Sequence, residues 1–223
     1  MFLQIFTIWL SAFSMAFTFL PLMMVFEWKK RGTADGFSSV NIVLAIVIQA
    51  CWLRHGLLTG DNTNIYLNLF NLVFSAFFIF TFAYYQPKRQ YLIGQLVGAA
   101  TLVYSVFLWV DTHDETKIND AMGSAAATMQ ILSMVGGLYE IKRAVSMKTT
   151  EFIPANFQFA IFALTAQWLL FGLLHGNYHI VAANAAGLVL NVATISLYFI
   201  YPPLTWTVPI FNIPPQKQDK KTE

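Results

Sequence analysis

Apolar residues fill this chain in seven long blocks, at about residues 4 to 26, 40 to 58, 64 to 85, 91 to 110, 121 to 141, 155 to 174 and 180 to 201. Each is close to the roughly 20 residues that an α-helix needs to cross a ~30 Å hydrocarbon core. Polar residues collect in short connections, so no soluble catalytic domain has room outside the bilayer. The pattern predicts an all-α membrane protein with seven transmembrane helices.

The blocks are not independent. Displaced by 116 residues, the segment from Ala50 to Gly60 falls on Ala166 to Gly176 with seven of eleven positions identical. The register holds without a gap: Leu22 meets Leu138, Thr33 meets Thr149, Asn68 meets Asn184, Tyr85 meets Tyr201 and Pro87 meets Pro203. This is a duplicated unit. It divides the chain into a first three-helix repeat (1–87), a linker helix with flanking loops (88–120), a second three-helix repeat (121–203) and a C-terminal tail (204–223). Three spans turn the chain over, and the single linker span turns it back. The expected architecture is therefore 3+1+3 with parallel repeats, which enclose a substrate cavity near the midplane.

Composition and charge agree with a membrane protein and orient it. The chain is 57% hydrophobic and 11% charged, against about 25% charged in soluble domains. Of its 13 basic residues, all but Arg54 and Lys117 fall in the odd-numbered connections or the tail. The positive-inside bias then places the N-terminus outside and the C-terminus in the cytosol. The first block lacks the basic n-region of a cleavable signal and reads as a retained span. The end from Gln216 to Glu223 reads as a solvated, disordered tail. Cys51, the one cysteine, allows no intramolecular disulfide and reads as a packing residue. In the fourth span Gly94, Gly98, Ala99 and Ala100 suggest close helix contact, a packing strut.

The polar residues inside the spans are few. Asn68, Asn71 and Ser75 share one helical face, and Asn184, Gly187 and Asn191 repeat it at the same spacing. A buried amide costs several kcal/mol unless paired, so these residues either bond across helices or line a wet cavity; their symmetric duplication favours the cavity. Trp52 and Trp168 each precede the asparagine by 16 residues. They are either interfacial anchors or indole faces for a ligand. Two aromatic faces and two amides suit a neutral polyhydroxyl compound, whose C–H patches stack and whose hydroxyls pair with amides. No Asp, Glu, Lys or Arg lies mid-span, which favours passive transport over ion coupling. Glu27 and Glu140, near the cytosolic ends, are expected to pair locally with Lys30 or Arg143. Neither a metal-ligand motif, nor a nucleophile elbow, nor a phosphate-binding glycine loop is present, so no enzyme, cofactor or nucleic-acid function is expected. Pro21 predicts a kink in the first span, and its partner in the register is Gly137, beside Gly136.

Together the two three-helix units and their linker, the loops at Gly32–Ser39 and Lys148–Phe152, the Trp52–Gly56 and Trp168–Gly172 blocks and the paired asparagines resemble the SWEET sugar transporters, for which parallel repeats are already known. The resemblance covers roughly residues 10 to 203. It implies bidirectional, energy-independent passage of a mono- or disaccharide by alternating access. In its terms Asn68 and Asn184 hydrogen-bond the sugar and Trp52 and Trp168 pack on it. Of the family's four hinge prolines only Pro21 is present, the others aligning with Asn41, Gly137 and Asn156. The outer-gate tyrosine positions carry His55 and Phe171. The implied partners are a small neutral sugar and the lipid bilayer, with a homo-oligomer left open. The implied location is the plasma membrane, with the Golgi or another internal membrane as the alternative.

Two other classes compete. A seven-span receptor shares the topology, but the chain lacks the acidic-Arg-aromatic triplet and the Asn-Pro motif of rhodopsin-like receptors, and such receptors lack this repeat. A PQ-loop carrier of amino acids or another metabolite has the same spans, but Asn41 is followed by Ile42 and Asn156 by Phe157 in place of Pro-Gln pairs.

Overall fold

Two of the seven apolar blocks are broken, and the breaks are adjacent in the repeat. In the computed structural model, which describes residues 2–216, the first block is α1 (Phe2–Thr18) followed by α2 (Leu22–Arg31). The fifth is α6 (Ile118–Ser133) followed by α7 (Val135–Met147). The remaining helices are unbroken: α3 (Val40–Thr59), α4 (Asn62–Tyr85), α5 (Gln90–Asp111), α8 (Ala155–His175) and α9 (Tyr178–Ile200). Counting each broken pair once, the described residues hold seven helices long and apolar enough to cross a membrane. The protein is thus an all-α, multi-pass membrane protein.

At the first break, Pro21 lacks an N–H and the chain tightens to three-residue hydrogen bonds, Phe19 N to Ala16 O (3.2 Å) and Leu20 N to Phe17 O (3.1 Å). At the second, Met134 N bonds Ile131 O (3.0 Å) and Gly137 N bonds Met134 O (2.9 Å). Met134 is the register partner of Thr18, the last residue of α1, so the two interruptions fall next to each other in the register although only one has a proline. Gly137, expected at the weak point, instead lies within α7. A Cβ there would come within 2.7 Å of Leu190 Cδ2, so glycine serves close approach of α7 to α9.

The chain separates into two compact units, Met1–Gln130 and Ile131–Glu223. In the first, Trp28 is fully buried and packs edge-on against Phe37 and Phe82. Leu96 and Ala99 bring α5 onto the same core. Of the small residues read as a packing strut, Ala99 does pack, whereas Gly94 and Gly98 are exposed with nothing within 4 Å of a notional Cβ. The helix packs through Leu92, Leu96 and Ala99 and turns its glycines away.

The second unit repeats the first in its loops. Gly32 and Lys148 both end a helix in the left-handed region, at φ 71° and 52°. Thr33 and Thr149 each accept a hydrogen bond from the backbone N–H two residues on. Ala34 N and Thr150 N bond Tyr85 O and Tyr201 O, both at 3.0 Å. The units then diverge. After Pro87 the first runs into α5, whereas residues 202–216 fold back over the loop before α8. Val208 is fully buried, and Phe211 packs on Phe159 and Phe199. The Glu151 carboxylate accepts from Leu204 N (2.6 Å), Thr205 N (3.0 Å) and the Thr205 hydroxyl, while Trp206 Nε1 donates to Glu151 O at 3.2 Å. Part of the tail read as 204–223 is therefore packed; the disorder expected for Gln216 to Glu223 falls, beyond Gln216, outside the described residues. Gln216 itself donates to Lys148 O and Pro202 O.

The Thr205 hydroxyl, with smaller help from the Leu204 and Thr205 amides, holds the Glu151 carboxyl below the usual glutamate range. A lowered folded-state pKa means that the ionised carboxylate holds the strap at neutral pH and that this hold is lost as pH falls through the folded value. Hydrogen exchange of residues 203–208, corrected for intrinsic rates, should accelerate only below the normal carboxylate range, and Glu151→Gln should accelerate it already at neutral pH. In thermal unfolding in detergent, Gly98→Ala should be neutral or slightly stabilising. Gly172→Ala, whose Cβ would sit 3.0 Å from Val181 N, should destabilise by about 1–3 kcal/mol.

Candidate functional site

The candidate residues sit on two matching hairpins, α3–α4 and α8–α9. Each first helix ends on a left-handed glycine, Gly60 at φ 68° and Gly176 at φ 66°. The next residue caps the second helix: Asp61 accepts from Asn64 N and Asn177 from Ile180 N. One turn back from each glycine cap the helices nearly touch. A Cβ on Gly56 would lie 3.2 Å from Asn64 Cβ and Ile65 N, and one on Gly172 3.0 Å from Ile180 Cγ2 and Val181 N. With only a short turn between them, the helices of each hairpin run antiparallel. Trp52 and Asn68 therefore lie on facing helices one turn beyond the contact in the first unit, and Trp168 and Asn184 do so in the second.

The asparagines are buried and their amides are oriented. Asn68 Nδ2 donates to Asn64 O (2.8 Å) and to Asn64 Oδ1 (2.6 Å). Asn184 Nδ2 donates to Ile180 O (2.8 Å). No described protein donor reaches either amide oxygen. Each oxygen is left as an acceptor for something else.

The rest of the polar stripes divides differently from the expectation of a single wet face. Asn71 pairs with Thr18 at the break in the first span, and Ser75 donates to Gln49 Oε1 at 2.9 Å. Asn191 accepts from Gln158 and donates to Gly187 O (2.9 Å) and Thr165 Oγ1 (3.4 Å). Thr165 is the register partner of Gln49, so one interhelical bond is conserved through different residues. Asn71, Ser75 and Asn191 are interhelical glue; Asn68 and Asn184 bond only within their own helices.

Trp52 is buried, and its Nε1 donates to Gln130 Oε1 at 2.7 Å, which fixes the ring. Trp168 is half-buried. Each indole meets the residue three positions on in an edge contact: Trp52 with His55 at 5.6 Å and Trp168 with Phe171 at 5.3 Å. His55 and Phe171 are both buried, and His175 stacks on Phe171 at 4.0 Å. Of the remaining hinge positions, Pro21 heads α2 at the first break, while Asn41 and Asn156 are exposed in the first turns of α3 and α8.

Several groups escaped the sequence reading. Gln130 has no motif, and only its partner makes it visible. Asn64 lies at the start of a span, where polar residues pass as turn. Arg54 pairs with Asp111 and stacks over the Phe107 ring at 4.4 Å, joining the ends of α3 and α5. Glu140 and Arg143 form the expected local pair at 3.6 Å.

Comparison with known proteins follows the same register. The family described as sugar efflux transporters for intercellular exchange matches residues 4–90 and 120–205, two segments whose starts lie 116 residues apart. The chain is similar to sugar transporter SWEET1 of Caenorhabditis elegans, 22% identical over 200 residues, covering 90% of this chain and 66% of that protein. It is similar to bidirectional sugar transporter SWEET12 of Oryza sativa subsp. japonica, 24% identical over 188 residues, covering 81% of this chain and 62% of that one. It thus spans just under two thirds of the length of these two relatives. A solved structure of a eukaryotic SWEET transporter shares the fold at a TM-score of 0.77 and 20% identity, over 89% of this chain and 96% of the other. The chain belongs to the SWEET family.

Proposed function

We propose that the protein is a facilitative carrier that moves a mono- or disaccharide in either direction, down its gradient, by alternating access. One observation carries the reading. Each repeat presents a buried asparagine at the same register position, with its amide nitrogen tied to its own helix and its amide oxygen left open. A sugar hydroxyl is a suitable partner, since it can donate to such an oxygen. A carboxylate is not: it is acceptor-only and would need a countercharge.

In this mechanism Asn68 and Asn184 bind the sugar and Trp52 and Trp168 pack against its C–H faces, the Trp52 ring held by Gln130. The interrupted first span of each repeat supplies the hinge. A break leaves backbone groups outside the regular helix ladder, so the helix can change direction there without breaking many bonds. Adjacency of the two breaks in the register supports paired motion of the repeats. Pro21 and the Met134–Gly137 turn are the proposed hinges, with Asn41 and Asn156 at the ends of the helices that follow and His55 and Phe171 as gate residues. The basic connections orient the chain with its C-terminus in the cytosol, and the plasma membrane is the proposed location.

In proteoliposomes without any ion gradient, wild-type protein should equilibrate radiolabelled glucose or a disaccharide. Asn68→Ala and Asn184→Ala should each weaken apparent affinity by about tenfold, the loss of one buried hydrogen bond. Unchanged transport by either well-folded variant would remove that residue from the site. Collapsing a proton gradient with an uncoupler should leave the initial rate unaltered, and a strong dependence would contradict passive transport.

A further inference from the structure

The two halves of the site are not equivalent, and the difference is one residue. Asn64 lies one turn before Asn68 on α4, and its register partner is Ile180. Both are 2% exposed and both sit at the glycine contact of their hairpins. Ile180 offers only its backbone carbonyl to Asn184. Asn64 offers Asn68 both its backbone and its side-chain oxygen, at 2.8 and 2.6 Å. The Asn68 amide nitrogen is thereby committed to Asn64, and its oxygen is the group left open.

The bond also sets the orientation of Asn64. With its oxygen facing the Asn68 amide, its own Nδ2 points elsewhere, and that nitrogen is buried with no hydrogen-bond partner among the described residues. A buried donor left unpaired costs free energy that an apolar residue at the same place would avoid. The second repeat, with Ile180, shows that the hairpin closes equally well without an amide there. Packing therefore does not explain Asn64.

We propose that Asn64 is a specificity-determining residue of the sugar site, presenting its amide proton to a substrate hydroxyl beside the open oxygen of Asn68. A hydroxyl both donates and accepts, so one sugar hydroxyl satisfies both groups, donating to Asn68 Oδ1 and accepting from Asn64 Nδ2. A site that hydrogen-bonds a hydroxyl in this way discriminates against analogues that lack it, because removing the hydroxyl strands two buried groups. The second repeat, with Ile180 in that place, offers no such pair. This assignment rests on the sugar-carrier reading.

The test is uptake of glucose and of a series of monodeoxyglucoses into proteoliposomes by wild type, Asn64→Ile and the near-isosteric Asn64→Leu. Wild type should disfavour one deoxy sugar over glucose, by about tenfold in apparent affinity. Either variant should transport glucose with KM raised about fivefold, an unchanged maximal rate and an equal or higher melting temperature. Against that same deoxy sugar the variants should lose their discrimination. Wild-type KM and wild-type selectivity in both variants would overturn the proposal, as would a lower maximal rate and melting temperature with KM and selectivity unchanged, the signature of a packing residue. Absence of uptake of every sugar by wild type would instead overturn the carrier reading on which the proposal stands.

Discussion

The structure depends on a close backbone contact made twice. Where Gly56 meets the start of α4, and where Gly172 meets the start of α9, the helices approach to distances at which even a Cβ would crowd the facing helix. Between helices in lipid there is no hydrophobic drive, so close packing and interhelical hydrogen bonds must hold each hairpin together. The glycine contact sets the register of the two helices. That register brings a tryptophan and an asparagine onto facing helices one turn further along, and the cap residues Asp61 and Asn177 secure the turn above it.

Much of this could be read from the sequence because duplication doubles every signal. Seven apolar blocks marked the spans, and the 116-residue register anticipated matching hairpins, matching loops and the equivalent positions of Asn68 and Asn184 within their hairpins. Pro21 marked the first break for a local reason, the missing N–H. The second break could not be located in the same way. Met134 and its neighbours have no breaker chemistry, and Gly137 proved to be a packing glycine inside α7. Gly94 and Gly98 misled for a related reason: spacing tells which residues share a face, not what that face meets. Interactions between distant residues, such as Trp52 with Gln130 or Arg54 with Asp111, leave no periodic trace at all. The strap over Glu151 was missed because the apolar residues of 204–216 are scattered among prolines and polar residues, and its hydrogen bonds to Glu151 join residues more than 50 positions apart.

The departures from symmetry carry as much information as the symmetry. At the first break a hydroxyl–amide bond joins Thr18 to Asn71; at the second the same positions hold Met134 and Gly187, where a Cβ would come within 3.2 Å of Met134 Cε. A polar bond braces the first break, and a close apolar contact lies at the second. In the same way Gln49–Ser75 and Thr165–Asn191 keep an interhelical bond while changing its chemistry. The tryptophans, the asparagines and the glycines between them are among the positions that keep their identity.

We propose that these positions form the binding site of a passive, reversible sugar carrier, and counterflow is the decisive experiment. Proteoliposomes loaded with unlabelled sugar are diluted into a trace of the labelled sugar, with no ion gradient. The predicted result is a transient accumulation of label above its equilibrium level, as exchange through one shared site outruns net efflux. A monotonic approach to equilibrium, or no entry of label, would contradict it.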